Sequence, residues 1–160
     1  FSFSKGMGLS GLRVGYIVTD DHIMDTMFAN AVGVIGATST SSQKAIIEAM
    51  KHPEFMKIFE DAYEYRRHKA FEILNSIPNV SCELPQSGFL CWVDVSKLGN
   101  SSDIVSYLVK EAKVSVNDGI NYGEGGKGHL RIVLGVYKDN SRVVDALMRI
   151  KEALTKYQGL

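Results

Sequence analysis

Net charge is the first thing this sequence lacks: eighteen Lys and Arg residues balance eighteen Asp and Glu. A chain with no excess of either sign has no field to draw it to nucleic acid or to an anionic membrane. It also lacks any apolar run near the ~20 residues that a membrane helix needs. Cysteine is scarce, with two in 160 residues. Cys82 and Cys91 have neither the CxxC spacing of a redox motif nor the doubled pairs of a zinc site. Each lies in an apolar, strand-like run, so they read as small buried hydrophobes in a reducing compartment such as the cytoplasm. His22, His52, His68 and His129 are scattered without metal-ligand spacing; they read as surface or loop residues, and no metal is expected. Finally, there is no initiator methionine. The chain opens on Phe1 inside what reads as functional sequence, as a piece of a longer protein would, which leaves a targeting leader open.

What is present is ordinary for a globular protein: 45% hydrophobic and 22% charged residues. Residues 6–11 are glycine-rich and read as a loop, and Arg13 to Val18 reads as a short strand. A helix is expected over 22–32. The hydroxyl run 38–42 caps another from about Gln43 to Met50. Pro53 suits the first turn of a long helix that ends before Pro78, with Arg66, Arg67 and Lys69 facing out. Beyond it the pattern predicts a compact α+β unit: strands at 80–84, 89–95, 114–116 and 129–135, and a helix at 103–112. A closing helix at 141–157 buries Val143, Leu147, Ile150 and Leu154 at spacings of four and three.

Two stretches match GxGxxG, at Gly6/Gly8/Gly11 and Gly123/Gly125/Gly128. A dinucleotide site needs that loop to follow a strand and open a helix. Both run instead into strand-like sequence, so their glycines are expected to supply positive φ angles and close backbone approach.

Ser2-Phe3-Ser4-Lys5 has the SxxK spacing of some serine hydrolases. That reading needs a continuing helix, which Gly6 and Gly8 disfavour. The full run S-F-S-K-G-M-G-L-S-G-L-R-V-G-Y, with serine three before the lysine and arginine eight after it, resembles the cofactor-lysine motif of class I/II aminotransferases of fold type I. The segment P-Q-S-G-F-L-C-W-V-D, 85–94, is similar to the strand that opens that family's small domain. Residues 114–135, V-S-V-N-D-G-I-N-Y-G-E-G-G-K-G-H-L-R-I-V-L-G, resemble its loop and strand carrying an arginine for the substrate carboxylate.

The resemblance implies a mixed α/β and α+β fold. Residues 1–78 would be the C-terminal part of the large cofactor-binding domain with a bridging helix, and 79–160 the small α+β domain. It implies pyridoxal 5'-phosphate as cofactor. Lys5 would be its Schiff-base lysine and the catalytic proton carrier, and Ser2 and Arg13 its phosphate ligands, a hydroxyl and a guanidinium suited to a dianion. Arg131 would clamp the substrate carboxylate, with Tyr122 as the nearby aromatic. Flanked by Leu130 and Ile132, Arg131 is expected to be buried and in need of an anionic partner. Asn117 departs from the hydrophobic-then-proline context usual before this loop.

The implied reaction moves an amino group between an L-amino acid and a 2-oxo acid, in a homodimer. The same residues would also serve a β-eliminating lyase, and a non-catalytic domain could keep the fold alone. Residues 21–43 contain no arginine of the kind that some aspartate-specific members lend across the dimer. The ring-stacking aromatic and the aspartate facing the pyridine nitrogen belong to the family's N-terminal half, so this stretch alone is expected to be inactive.

Overall fold

A computed structural model describes residues 1–159. The chain forms two compact units, one of Phe1–Phe59 and one from Glu60 onward.

The first unit begins with a single turn of helix, α1 (Phe3–Gly6), and a 3-10 turn at Ser10–Leu12. Helix α2 (Asp21–Val34) follows, then α3 (Thr40–Ala49), whose N-cap Ser39 accepts from the Ser42 N–H. The strand expected at 13–18 does not form. Arg13 sits in the left-handed region at φ 54°, and Ser2 and Gly15 make one isolated antiparallel bridge. A strand needs a neighbour along its length, and here it has only the first three residues; Ile17 and Val18 remain 57% and 74% exposed. The unit has little core of its own, Ile46 being its one buried apolar side chain among the described residues.

The second unit is the expected α+β body. Its sheet has the order β1-β2-β4-β3, all antiparallel, from β1 (Ser81–Cys82), β2 (Leu90–Asp94), β3 (Asn117–Asp118) and β4 (His129–Val133). Alternation along β2 and β4 sends Cys91, Val93, Leu130 and Ile132 into the core and leaves Trp92 and Arg131 on the other face. The core is completed by α4 (Glu54–Asn75), α5 (Ser101–Tyr107, continued by a π turn over Leu108–Ala112) and α6 (Asn140–Lys156). The stripe Val143, Leu147, Ile150 and Leu154 is buried as its period predicts. Leu147→Ala removes a side chain that is 1% exposed, and a loss of about 3 kcal/mol is expected in urea unfolding.

Two expected strands differ, for local reasons: that at 80–84 shrinks to Ser81–Cys82, and that at 114–116 does not form, the strand there being Asn117–Asp118. Asn75 at the end of α4 acts as a substitute strand, its side chain bonding both the N–H and the C=O of Cys82. Lys113 is left-handed, and the Val114 N–H turns back to the Leu108 carbonyl, so pairing with β4 starts only at Asn117.

Arg66 does not face solvent. It is 3% exposed and donates to the Leu134 and Lys138 carbonyls and the Asn140 side chain, pinning the turn between β4 and α6. Arg67 also turns inward enough to donate to the Gly88 carbonyl. In the loop after β3, Gly123 and Gly128 have the expected positive φ, Gly125 has neither a positive φ nor a close neighbour, and the close approach is made at Gly126, where a Cβ would overlap the Gly119 carbonyl oxygen.

Candidate active site

The first unit carries one group of site residues. Residues 1–3 pair with 14–16: the Tyr16 N–H donates to the Phe1 carbonyl at 3.0 Å, and the two rings stack 4.8 Å apart. That pairing closes residues 3–14 into a loop, with Ser2 in the pairing itself, Lys5 near one end of the loop and Arg13 near the other. The close approach is made at Gly15, where a Cβ would fall 2.7 Å from the Phe1 carbonyl oxygen. Sequence inspection credited Gly6 and Gly11 with this role, but both have open space around them.

Ser2 caps α1, accepting from the Ser4 N–H at 3.2 Å and keeping its own hydroxyl proton to donate. Lys5 lies in the last turn of α1, exposed. Arg13 spends one N–H on the Ser10 carbonyl at 2.9 Å, leaving the rest of its fork available. The stretch 1–19 contains no acidic side chain. An amine, a hydroxyl and a guanidinium on a closed loop without carboxylates make a donor set suited to a phosphate dianion beside a reactive carbonyl.

The second unit carries the other group. Arg131 is half-buried, not buried, because strand alternation places it opposite the core. Its Nη1 donates to the Asn117 side-chain oxygen at 2.9 Å and to the Tyr122 hydroxyl at 3.3 Å, with the guanidinium 5.4 Å from the Tyr122 ring centroid. No carboxylate among the described residues bonds to it. Both acceptors are neutral, so the guanidinium is held in place with its charge uncompensated, as an anion site requires.

Trp92 pairs with Arg131 in register, meets Tyr122 edge-on at 5.9 Å and stacks on His129 at 5.5 Å. His129 is therefore half-buried on this face, at the start of the strand expected over 129–135. Asn117 and Trp92 were not identified as site residues from sequence. The period-2 alternation of Leu90, Trp92 and Asp94 was the available signal for the second, whereas Asn117 stood out only as a departure. Next to Asn117, the Asp118 carboxylate accepts from Ser101, Ser102 and the Ile120 N–H. Burial pushes its carboxyl up, but those three donors outweigh burial and hold it below the usual carboxylate range. No cluster of metal-ligating residues occurs among the described residues, and no helix is long and apolar enough to cross a membrane.

A profile of aminotransferase class I and II matches residues 1–147. The chain belongs to that family. Its relatives include an aspartate aminotransferase of Pyrococcus horikoshii, 31% identical over 96% of this chain and 40% of the relative. An LL-diaminopimelate aminotransferase of Maridesulfovibrio salexigens is 33% identical over 94% and 38%. Among solved structures, a PLP-bound putative aminotransferase from Clostridium difficile superposes with a TM-score of 0.82 at 28% identity, over 96% of this chain and 40% of that one. Cystalysin from Treponema denticola, at 19% identity, shares the fold with the same TM-score. The chain thus spans about 40% of the length of these relatives and neighbours.

Proposed function

We propose that this chain is the C-terminal part of a pyridoxal-phosphate-dependent aminotransferase that moves an amino group between an L-amino acid and a 2-oxo acid. The observation that carries the reading is the closed loop bearing Ser2, Lys5 and Arg13, free of carboxylates. It is supported by relatives named as aminotransferases and by a neighbour whose structure is PLP-bound.

Ser2 and Arg13 would hold the phosphate, the hydroxyl and the guanidinium together donating to its oxygens. Lys5 Nζ would hold the aldehyde. When bound, pyridoxal phosphate supplies that carbonyl and a ring able to spread negative charge away from Cα. Arg131, steadied by Asn117 and Tyr122, grips the substrate α-carboxylate and fixes the direction of its Cα–H bond. Lys5 Nζ would take the Cα proton as a base and later return it as an acid. In this reading residues 1–78 belong to the cofactor domain and 79–160 to the small domain, and the whole protein works as a homodimer.

The test compares this 160-residue chain with the longer protein, each mixed with pyridoxal phosphate. The longer protein is expected to consume an amino acid and a 2-oxo acid in equal amounts. The chain alone is expected to show no turnover above free cofactor. Ammonia release without consumption of a 2-oxo acid would reject transamination in favour of elimination.

A further inference from the structure

Among the described residues Asp118 is the single carboxylate that the fold buries, at 9% exposure. It does not face Arg131. In the β3–β4 register Asn117 lies opposite Arg131 and Asp118 opposite the core residue Leu130, so the two neighbours point to opposite sides of the sheet. On the Arg131 side, Asn117 supplies an acceptor. On the other side, Asp118 receives the hydroxyls of Ser101 and Ser102 from the first turn of α5, and the N–H of Ile120 from the 3-10 turn that carries Tyr122. Strand β3 is two residues long, too short for its own ladder to fix a register. Both acceptors that hold Arg131 therefore sit on a segment whose anchor is a neighbouring carboxylate.

We propose that Asp118 is a positioning residue for Arg131, tying Asn117 and Tyr122 to α5 so that the guanidinium is held in one orientation for a carboxylate ligand. The proposal rests on the reading of Arg131 as the carboxylate clamp. A purely structural Asp118 would contribute to stability alone. A positioning Asp118 also controls the order of the Arg131 side chain and the affinity of its ligand, at temperatures where the domain stays folded.

Both quantities are accessible in the 160-residue chain. The heteronuclear NOE of the Arg131 Nε–Hε group reports its order, and the same signal of the buried Arg66 reports an intact fold. Pyruvate is the probe, titrated against the fluorescence of Trp92, the one tryptophan of the chain and the cross-strand neighbour of Arg131. With Asp118→Ala, Arg131 should become as mobile as a free surface arginine while Arg66 stays ordered. The pyruvate Kd should rise at least about fivefold, the loss of roughly 1 kcal/mol of charge-assisted bonding through a loosened donor. Asp118→Asn should stay within about twofold, because its oxygen still accepts from Ser101 and Ile120 while its amide donates to the Ser102 oxygen.

Unchanged Arg131 order and unchanged affinity in a folded Asp118→Ala protein would overturn the proposal and leave the clamp standing. If instead Arg131 is released but pyruvate never binds the parent chain, the positioning role holds and the clamp reading fails. If Asp118→Ala loses the Arg66 signal, Ser102→Ala, which removes one exposed donor, decides on the same two measurements: a partial loss supports the proposal and none overturns it.

Discussion

Lys5→Ala in the longer protein is expected, on the proposed function, to bring turnover down by at least about four powers of ten. A positioned general acid–base group contributes about 10²–10⁴-fold, and here the same amine would also hold the cofactor. The change should be selective: the variant keeps its fold, since Lys5 is exposed in a one-turn helix that buries nothing. Added primary amines of small volume should restore part of the rate, because the missing function is proton transfer at a defined point. Steady-state rates with and without such an amine check both statements. A Lys5→Ala enzyme within tenfold of the parent would remove Lys5 from the mechanism.

Arg131→Ala should cut kcat/KM by about two to three powers of ten for amino acids and 2-oxo acids. Each hydrogen bond to a charged group is worth about 1.5–3 kcal/mol, a carboxylate fork takes two, and each power of ten is about 1.4 kcal/mol. The expectation stays below the full cost of stranding a charge in a core, because Arg131 is half-buried and its held partners are neutral. Simple amines with no carboxylate should react as before. Kinetics with an amino acid and its decarboxylated amine separate the cases: equal losses for both would make Arg131 a structural residue.

Features that depend on neighbours in sequence were legible in advance. The buried stripe of α6 follows from one helical period; Lys5, Ser2, Arg13 and Arg131 are proposed for the site because each sits in a spaced motif. Features that depend on distant partners were not. Arg66 looked like a surface charge among others on α4, yet its acceptors lie 68 to 74 residues further along the chain. The stretch RVGYIV has strand composition, but composition does not supply the neighbouring strand that a ladder requires. The burial of Arg131 was misjudged: apolar neighbours on both sides suggested it, whereas in a strand they mark the opposite face. Asp118 carried no signal at all, since a lone Asp-Gly pair reads as a turn until Ser101 and Ser102 are seen folding onto it.

The contact between Gly119 and Gly126 also limits how this protein can evolve. A methyl group at Gly126 would overlap the Gly119 backbone, and one at Gly119 would overlap the Gly126 oxygen and fall 2.7 Å from that of His129. Every codon change away from glycine enlarges the residue, so neither position has a neutral single step open to it, and compensation between the two is impossible because the obstacle is main chain on both sides. Selection acting on the surroundings of Arg131 is therefore channelled into Ile120, Asn121, Glu124 and Gly125, because Tyr122 holds Arg131 and Gly123 has a positive φ, while the two ends of the loop stay fixed. Variation among descendants of this sequence should concentrate at those four positions, with Gly119 and Gly126 unchanged on either side of them.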